Sequence, residues 1–169
     1  MTKAFVKNFI IVSFFSVLLS RLLPHPPNFT SSIAIAFYLP SIFGLKYILV
    51  SLSAFILADF VLGTHNLIFF TWVSLILVGL LSRFFKKYYY RFIGIILSCF
   101  VFYFVTNFGV WLLQDLYEKN LEGMITCFVM ALPFFLNTLI GSFLFALFIE
   151  LILTFHLVKN IIIKINTTH

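Results

Sequence analysis

Four groups of polar residues interrupt an otherwise apolar sequence, and they contain the side chains whose types and spacing could do chemistry. They are RLLPHPPNF at 21–29, ADFVLGTHN at 58–66, TNFGVW at 106–111 and PFFLNT at 133–138. A polar side chain inside hydrocarbon must hydrogen-bond another helix or a ligand, because an unsatisfied polar group there is costly. These residues therefore offer hydrogen bonding and stacking around a bound small molecule, or bonds that hold helices together.

Each group has a structural explanation beside the functional one. The prolines of the first group predict a stiff loop, whether or not it presents a ligand contact. A buried carboxylate needs a partner, and we expect Asp59 to pair with Arg21 or His65. Asn107 is explained equally well by an interhelical hydrogen bond, and Trp111 by anchoring at the membrane interface.

The elements that must position these residues are membrane helices. Of 169 residues, 63% are hydrophobic and only 9% are charged, whereas soluble domains carry about 25% charged residues. Such a chain cannot cover a water-soluble globule with polar surface. We predict an all-α integral membrane protein in which residues 1–169 form a single transmembrane domain.

Apolar runs between polar breaks predict about six transmembrane helices. Their expected bounds are 5–23, 29–44, 46–62, 67–84, 92–113 and 134–156. Only Gly44 and Lys46 separate the second run from the third, so residues 29–62 form either two full spans or a re-entrant segment. A short helix at 121–132, before Pro133, is expected to lie on or dip into the membrane from the outer side.

The distribution of lysine and arginine predicts that both termini are cytoplasmic. That orientation leaves two basic residues outside, Arg21 and Lys119. It places nine basic residues inside: Lys3, Lys7, Lys46, Arg83, Lys86, Lys87, Arg91, Lys159 and Lys164. The net charge of +6 is thus explained by topology, and the bases and aromatics at 83–91 indicate a membrane-interface belt rather than nucleic-acid binding.

In this topology all four polar groups fall in the outer half, while the inner half is expected to be almost wholly apolar. Packing alone has no reason to confine polar residues to one side, so we expect a ligand cavity open to the exterior. The residues expected to contact the ligand are His25, Asn28, Asp59, His65, Asn107, Trp111 and Asn137. Ser16 and Ser20 form a pair of small residues that permits close helix contact, within the chain or with a partner.

Other chemistries find little support in the sequence. His25, Asp59 and His65 stand in separate segments, so we predict no metal site, and Cys99 and Cys127 are expected to be packing residues. No HExxH, P-loop, GxSxG or GxGxxG motif occurs. We therefore expect neither an enzyme nor a bound cofactor, and active transport would need a partner ATPase or an ion gradient.

Five motifs resemble those of a bacterial family of small uncharacterised membrane proteins. They are RLLPHPPNF, the D-x-x-x-G-x-H pattern of Asp59, Gly63 and His65, the TNFGVW segment, Gly123 with Met124 and Cys127, and PFFLNT. The resemblance covers residues 21–150. The chain departs from it at Ser31, where a proline is usual, and at Ser142, where an aspartate is usual, which puts any role of that aspartate in doubt.

That family in turn resembles the S components of energy-coupling factor (ECF) transporters, six-helix proteins that capture vitamins outside the cell. PFFLNT is similar to the P-F-N segment that opens the sixth helix of several S components. The resemblance implies uptake of a vitamin or related metabolite at the bacterial inner (cytoplasmic) membrane, with ECF-type transmembrane and ATPase subunits as partners. The alternative is a structural or assembly protein without a ligand, and the sequence leaves the ligand and the oligomeric state open.

Overall fold

The computed structural model of the chain describes the backbone of residues 1–166 and the side chains of residues 1–159. Lys164, one of the basic residues expected inside, therefore lies outside the described side chains. The described residues form helices and no strand. The seven α-helices are α1 (Lys3–Leu22), α2 (Ser32–Phe43), α3 (Ile48–Leu62), α4 (Ile68–Leu81), α5 (Tyr88–Leu113), α6 (Leu121–Met130) and α7 (Leu132–Asn166), with short 3₁₀ turns at Leu45–Tyr47 and Ser82–Phe84.

Four of these helical segments are long and apolar enough to cross a membrane: Lys3–Leu22, Leu45–Leu62, Tyr88–Leu113 and Leu132–Lys159. Helices form at the other two expected spans as well, but they are shorter. α2 has 12 residues, which corresponds to a length of about 18 Å, against about 30 Å for the hydrocarbon core. The structure thus supports a helical membrane protein with four candidate spans, and it does not confirm the expected count of six.

The long helices alternate in direction, which divides the molecule into two ends. α1, α3 and α5 finish at the end where α2, α4 and α7 begin, and we call this the cavity end. The opposite end carries most of the basic residues and is called the basic end. Chain breaks between the helices follow from local chemistry: Pro24 and Pro26 stop α1, and Gly44 and Gly63 adopt φ values of 107° and 102°, where a side chain would be strained.

α2 forms the centre of the bundle. Every residue from Ser32 to Ser41 is buried, and the helix contacts α1, α3, α4, α5 and α7. Its sequence, IAIAFYLP after the first serine, is apolar on all sides, as burial on every face requires. The residue before it, Ser31, hydrogen-bonds Ser16 at 3.1 Å and Ser20 at 3.0 Å, so the small pair on α1 makes an intramolecular contact.

A polar cluster of Arg91, Glu150 and Tyr38 lies toward the basic end. This is the half of the molecule that was expected to be almost wholly apolar. Arg91 on α5 donates to both carboxylate oxygens of Glu150 on α7, at 2.9 and 3.2 Å. The Tyr38 hydroxyl on α2 donates to the same carboxylate at 2.9 Å. The expectation of an almost wholly apolar inner half is wrong at this point. Arg91 and Glu150 are far apart in the sequence, which does not reveal that their two helices meet and bury the ion pair.

Candidate ligand-binding cavity

A cavity of about 490 Å³ opens at the cavity end. Its wall combines hydroxyl, amide, imidazole and guanidinium groups with aromatic rings. The lining includes Arg21, Asn28, Phe55, His65, Thr71, Phe102, Tyr103, Thr106, Asn107, Tyr117, Cys127, Phe134, Phe135 and Thr138. The volume lies within the range of about 300–1,000 Å³ that is typical of small-molecule sites.

A buried ion pair fixes one side of the wall. Asp59 is 1% exposed and pairs with Arg21, one of its two expected partners. Its second carboxylate oxygen accepts a hydrogen bond from Trp72 Nε1 at 2.7 Å. The Arg21 guanidinium also stacks over the Phe55 ring, 3.5 Å from its centre. Asp59 therefore acts on the cavity through Arg21, which lines it.

Two loops bring the first and second polar groups to the cavity. The loop between α1 and α2 turns at Asn28, whose φ of 63° is a conformation that asparagine tolerates better than most residues. His25, at the rim of this loop, donates from Nδ1 to the Leu23 carbonyl oxygen at 2.6 Å. In the loop before α4, His65 Nδ1 accepts from the Leu67 backbone amide at 3.2 Å. These local bonds hold the side chains of both loops near the opening.

Asn107 lies on the α5 side of the cavity. Its Nδ2 donates to the Tyr103 carbonyl oxygen of its own helix at 2.7 Å, so the side chain does not join two helices through this bond. The Tyr103 hydroxyl donates to the Phe128 carbonyl oxygen of α6, and the Cys127 thiol contacts the Asn107 carbonyl oxygen at 3.5 Å. The interhelical bonding at this level is thus made by Tyr103 and Cys127.

Four of the seven expected ligand contacts do not line this cavity: Asp59 lies behind Arg21, His25 lies at the rim, and Trp111 and Asn137 lie away from the wall. The Trp111 indole donates to the Glu118 carbonyl oxygen at 2.9 Å, and the Trp111 carbonyl accepts from Lys119, so this residue ties down the loop after α5. Asn137 is half-buried on α7 but does not line the cavity. From this part of α7, the residues that line it are Phe134, Phe135 and Thr138. The sequence placed Trp111 and Asn137 near the cavity end, as the structure does. It did not predict the direction in which their side chains point.

The aromatic part of the wall was missed by the sequence analysis. Phe102, Tyr103, Tyr117, Phe134 and Phe135 all line the cavity. In a chain with 25 phenylalanines and 7 tyrosines, an aromatic residue carries almost no signal of its own. The available signal was position: Phe134 and Phe135 belong to the fourth polar group, Phe102 and Tyr103 come just before the third, and Tyr117 follows it.

Two other grooves differ in character. One of about 580 Å³ lies between α5 and α6 and is lined by residues such as Phe104, Phe108 and Phe128. Another of about 440 Å³ lies between α1 and α7. Both are mainly apolar, as expected of surfaces that face lipid. Among the described side chains, no group of three histidine, cysteine or acidic residues is close enough together to hold a metal ion.

The chain belongs to DUF6580, a family of unknown function whose model matches residues 3–163. No curated protein matches the chain, and no solved structure does.

Proposed function

We propose that this protein binds a small molecule in the cavity at its cavity end and acts as the capture component of a membrane uptake system. The observation that carries the proposal is the composition of the cavity wall. Hydrogen-bonding groups from the loops before α2 and α4 and from α5 meet aromatic rings from α5 and α7 around one space of about 490 Å³. A few polar groups set in a mainly apolar pocket are typical of sites that orient an organic ligand.

The charge distribution supports capture from the outer side. Lysine and arginine are unequally distributed between the two ends of the molecule. Arg21 and Lys119 lie near the cavity, whereas most of the others, including Lys3 and Lys7, lie at the opposite end. Under the positive-inside rule the basic end faces the cytoplasm, so the cavity opens outward. The resemblance to ECF-type S components agrees with this orientation, since those proteins take up vitamins from outside.

Concentrative uptake would need a partner ATPase or an ion gradient, because the chain has no nucleotide-binding motif. ECF-type transmembrane and ATPase subunits, approaching from the basic end, are the partners that the resemblance implies. Purified protein alone, in liposomes without an ion gradient, is expected to bind ligand but not to accumulate it. Accumulation under these conditions would contradict the proposed dependence on a partner.

Mass spectrometry of molecules retained by the protein tests binding most directly. Protein purified into lipid nanodiscs is expected to release a metabolite in a stoichiometric amount on denaturation. Protein denatured before purification and then passed through the same steps provides the control. If native protein releases no more of any small molecule than this control, the proposal fails.

The alternative function is assembly or structural support of another membrane complex. It is favoured by the polar groups that serve internal contacts, such as the Trp72 bond to Asp59 and the Trp111 bond to the Glu118 carbonyl. An assembly protein would be purified empty and together with a defined membrane complex. The same mass-spectrometry experiment, extended to co-purified proteins, separates the two functions.

A further inference from the structure

A smaller chamber of about 170 Å³ lies next to the cavity, beside the start of α2. Five residues line both spaces: Arg21, Asn28, Phe55, Phe102 and Thr138. The smaller chamber adds Thr30, Ser32 and Ile33 to its wall, with His25 at the exposed rim. Because these five residues belong to both walls, the smaller chamber offers room for a compact group next to the aromatic rings of the main cavity.

Arg21 presents hydrogen-bond donors to this chamber. One of its terminal nitrogens, Nη2, is bonded to Asp59, and Phe55 fixes the plane of the guanidinium. Nε is buried and has no hydrogen-bond partner among the described residues. A buried donor without a partner is costly and rare in native structures. The Arg21 side chain keeps 17% of its surface exposed, and a group that accepts a hydrogen bond can reach this exposed part from the chamber that Arg21 lines.

The other polar groups at the start of α2 also have donors to spare. Thr30 donates to the Ser32 hydroxyl oxygen at 3.0 Å, which leaves the Ser32 hydroxyl proton free to point elsewhere. Within the described part of the chain, the backbone amide of Ile33, which lines the chamber, has no acceptor. Both oxygens of Asp59 are occupied, by Arg21 and by Trp72. The chamber is therefore rich in donors, and the nearby carboxylate is already satisfied.

We propose that the ligand carries an oxyanion, a carboxylate or a phosphate, which binds in the smaller chamber against Arg21, while an aromatic or other apolar body fills the main cavity. This inference rests on the proposed function and adds the chemical class of the ligand. The Arg21–Asp59 pair is neutral as a whole, so binding depends on charge-assisted hydrogen bonds from Arg21 and the start of α2 rather than on neutralising a lone cation.

Four matched probes test the inference: 2-naphthoate, 2-naphthyl phosphate, 2-naphthamide and 2-naphthylmethylamine. They share one aromatic body and differ in the charge of the attached group. Binding to the protein in lipid nanodiscs is measured by calorimetry, with empty nanodiscs as the blank. At least one anion is expected to bind roughly tenfold more tightly than the amide, which is the effect of about one charge-assisted hydrogen bond, and the amine is expected to bind most weakly. The carboxylate and phosphate arms show which oxyanion the chamber prefers.

Two variants locate the effect at Arg21. Asp59→Asn leaves the Arg21 charge uncompensated and is expected to increase the preference for the anions severalfold further. The double variant Arg21→Met with Asp59→Leu removes both charges, which avoids leaving one buried charge unpaired, and is expected to abolish the preference while the amide still binds. The matched control, Arg91→Met with Glu150→Leu, removes a similar ion pair near the basic end and is expected to keep the wild-type ranking.

The outcomes separate the two proposals. Equal affinity for the anions and the amide, in a protein that retains a metabolite, overturns the oxyanion assignment and leaves the proposed function standing. Loss of the preference in the Arg91/Glu150 control as well would show that the effect does not come from Arg21. A protein that retains no metabolite and binds none of the four probes contradicts both proposals.

Discussion

Asn107→Leu is expected to weaken ligand binding roughly tenfold or more while leaving the fold intact. In the free protein the Asn107 side chain donates one hydrogen bond, to the Tyr103 carbonyl oxygen of its own helix. Losing such a bond costs about 1 kcal/mol or less, and leucine favours a helix over asparagine by a few tenths of a kcal/mol. The free energy of unfolding should therefore change by less than about 1 kcal/mol.

The effect on binding should be larger. Asn107 lines the cavity, and its second amide proton and its oxygen are not used by the Tyr103 bond, so both are available to a ligand. Loss of about 1.5 kcal/mol of hydrogen bonding, with a ligand polar group left unpaired, lowers affinity roughly tenfold or more. The amount of metabolite retained in nanodiscs should fall accordingly.

Asn137→Leu is the matched control for this experiment. It makes the same substitution near the same end, but Asn137 lies outside the cavity wall. Retained metabolite, measured by mass spectrometry, and the melting temperature should both stay close to wild type in this control. The reasoning is refuted if Asn107→Leu melts several degrees lower and binds normally, or if both variants lose the metabolite to the same extent.

Three further predictions concern the rest of the bundle. Tyr38→Phe removes the 2.9 Å bond to the Glu150 carboxylate and should lower the free energy of unfolding by about 1.5–3 kcal/mol, as measured by denaturant titration; a wild-type value would show that this bond does not stabilise the bundle. Gly123→Ala should lower the melting temperature, because a Cβ at this position would overlap the backbone of Glu118. An unchanged melting temperature would mean that the loop between α5 and α6 moves aside without cost. Burial raises the pKa of the Cys127 thiol, so at neutral pH it should react with a maleimide far more slowly than a free cysteine and should speed up as the pH rises; fast labelling at neutral pH would contradict its burial.

The sequence predicted most helices but not their depth in the bundle. The expected runs at 46–62 and 67–84 correspond to Leu45–Leu62 and Ile68–Phe84, because polar residues and glycines mark their ends. The run at 29–44 gave no sign that α2 would be short and enclosed by its neighbours. Lipid and a protein core both favour the same apolar side chains, so composition alone cannot separate a helix that faces lipid from one at the centre.

The site was predictable only where polar residues stand out. Asn28, His65 and Asn107 were expected in the cavity and line it, because each is unusual in an apolar chain. The pairing of Asp59 with Arg21 was also predictable, since a buried carboxylate requires a partner. The pair of Arg91 and Glu150 was missed because Arg91 was fully explained as a positive-inside residue at a span end. Trp111 and Asn137 do not line the cavity because of the direction of their side chains. That direction depends on helix packing, which cannot be read from one sequence.

The enclosed position of α2 has a consequence for biogenesis. α2 is synthesised second, yet the helices that cover it include α4, α5 and α7, which are made later. Until they are made, a helix of 12 residues is too short to cross a bilayer by itself and lacks the neighbours that cover it. The last helix, α7, also supplies Phe134, Phe135 and Thr138 to the cavity wall. The cavity wall is therefore complete only after α7 has been made, and a nascent chain cut short before α7 would lack this part of the wall.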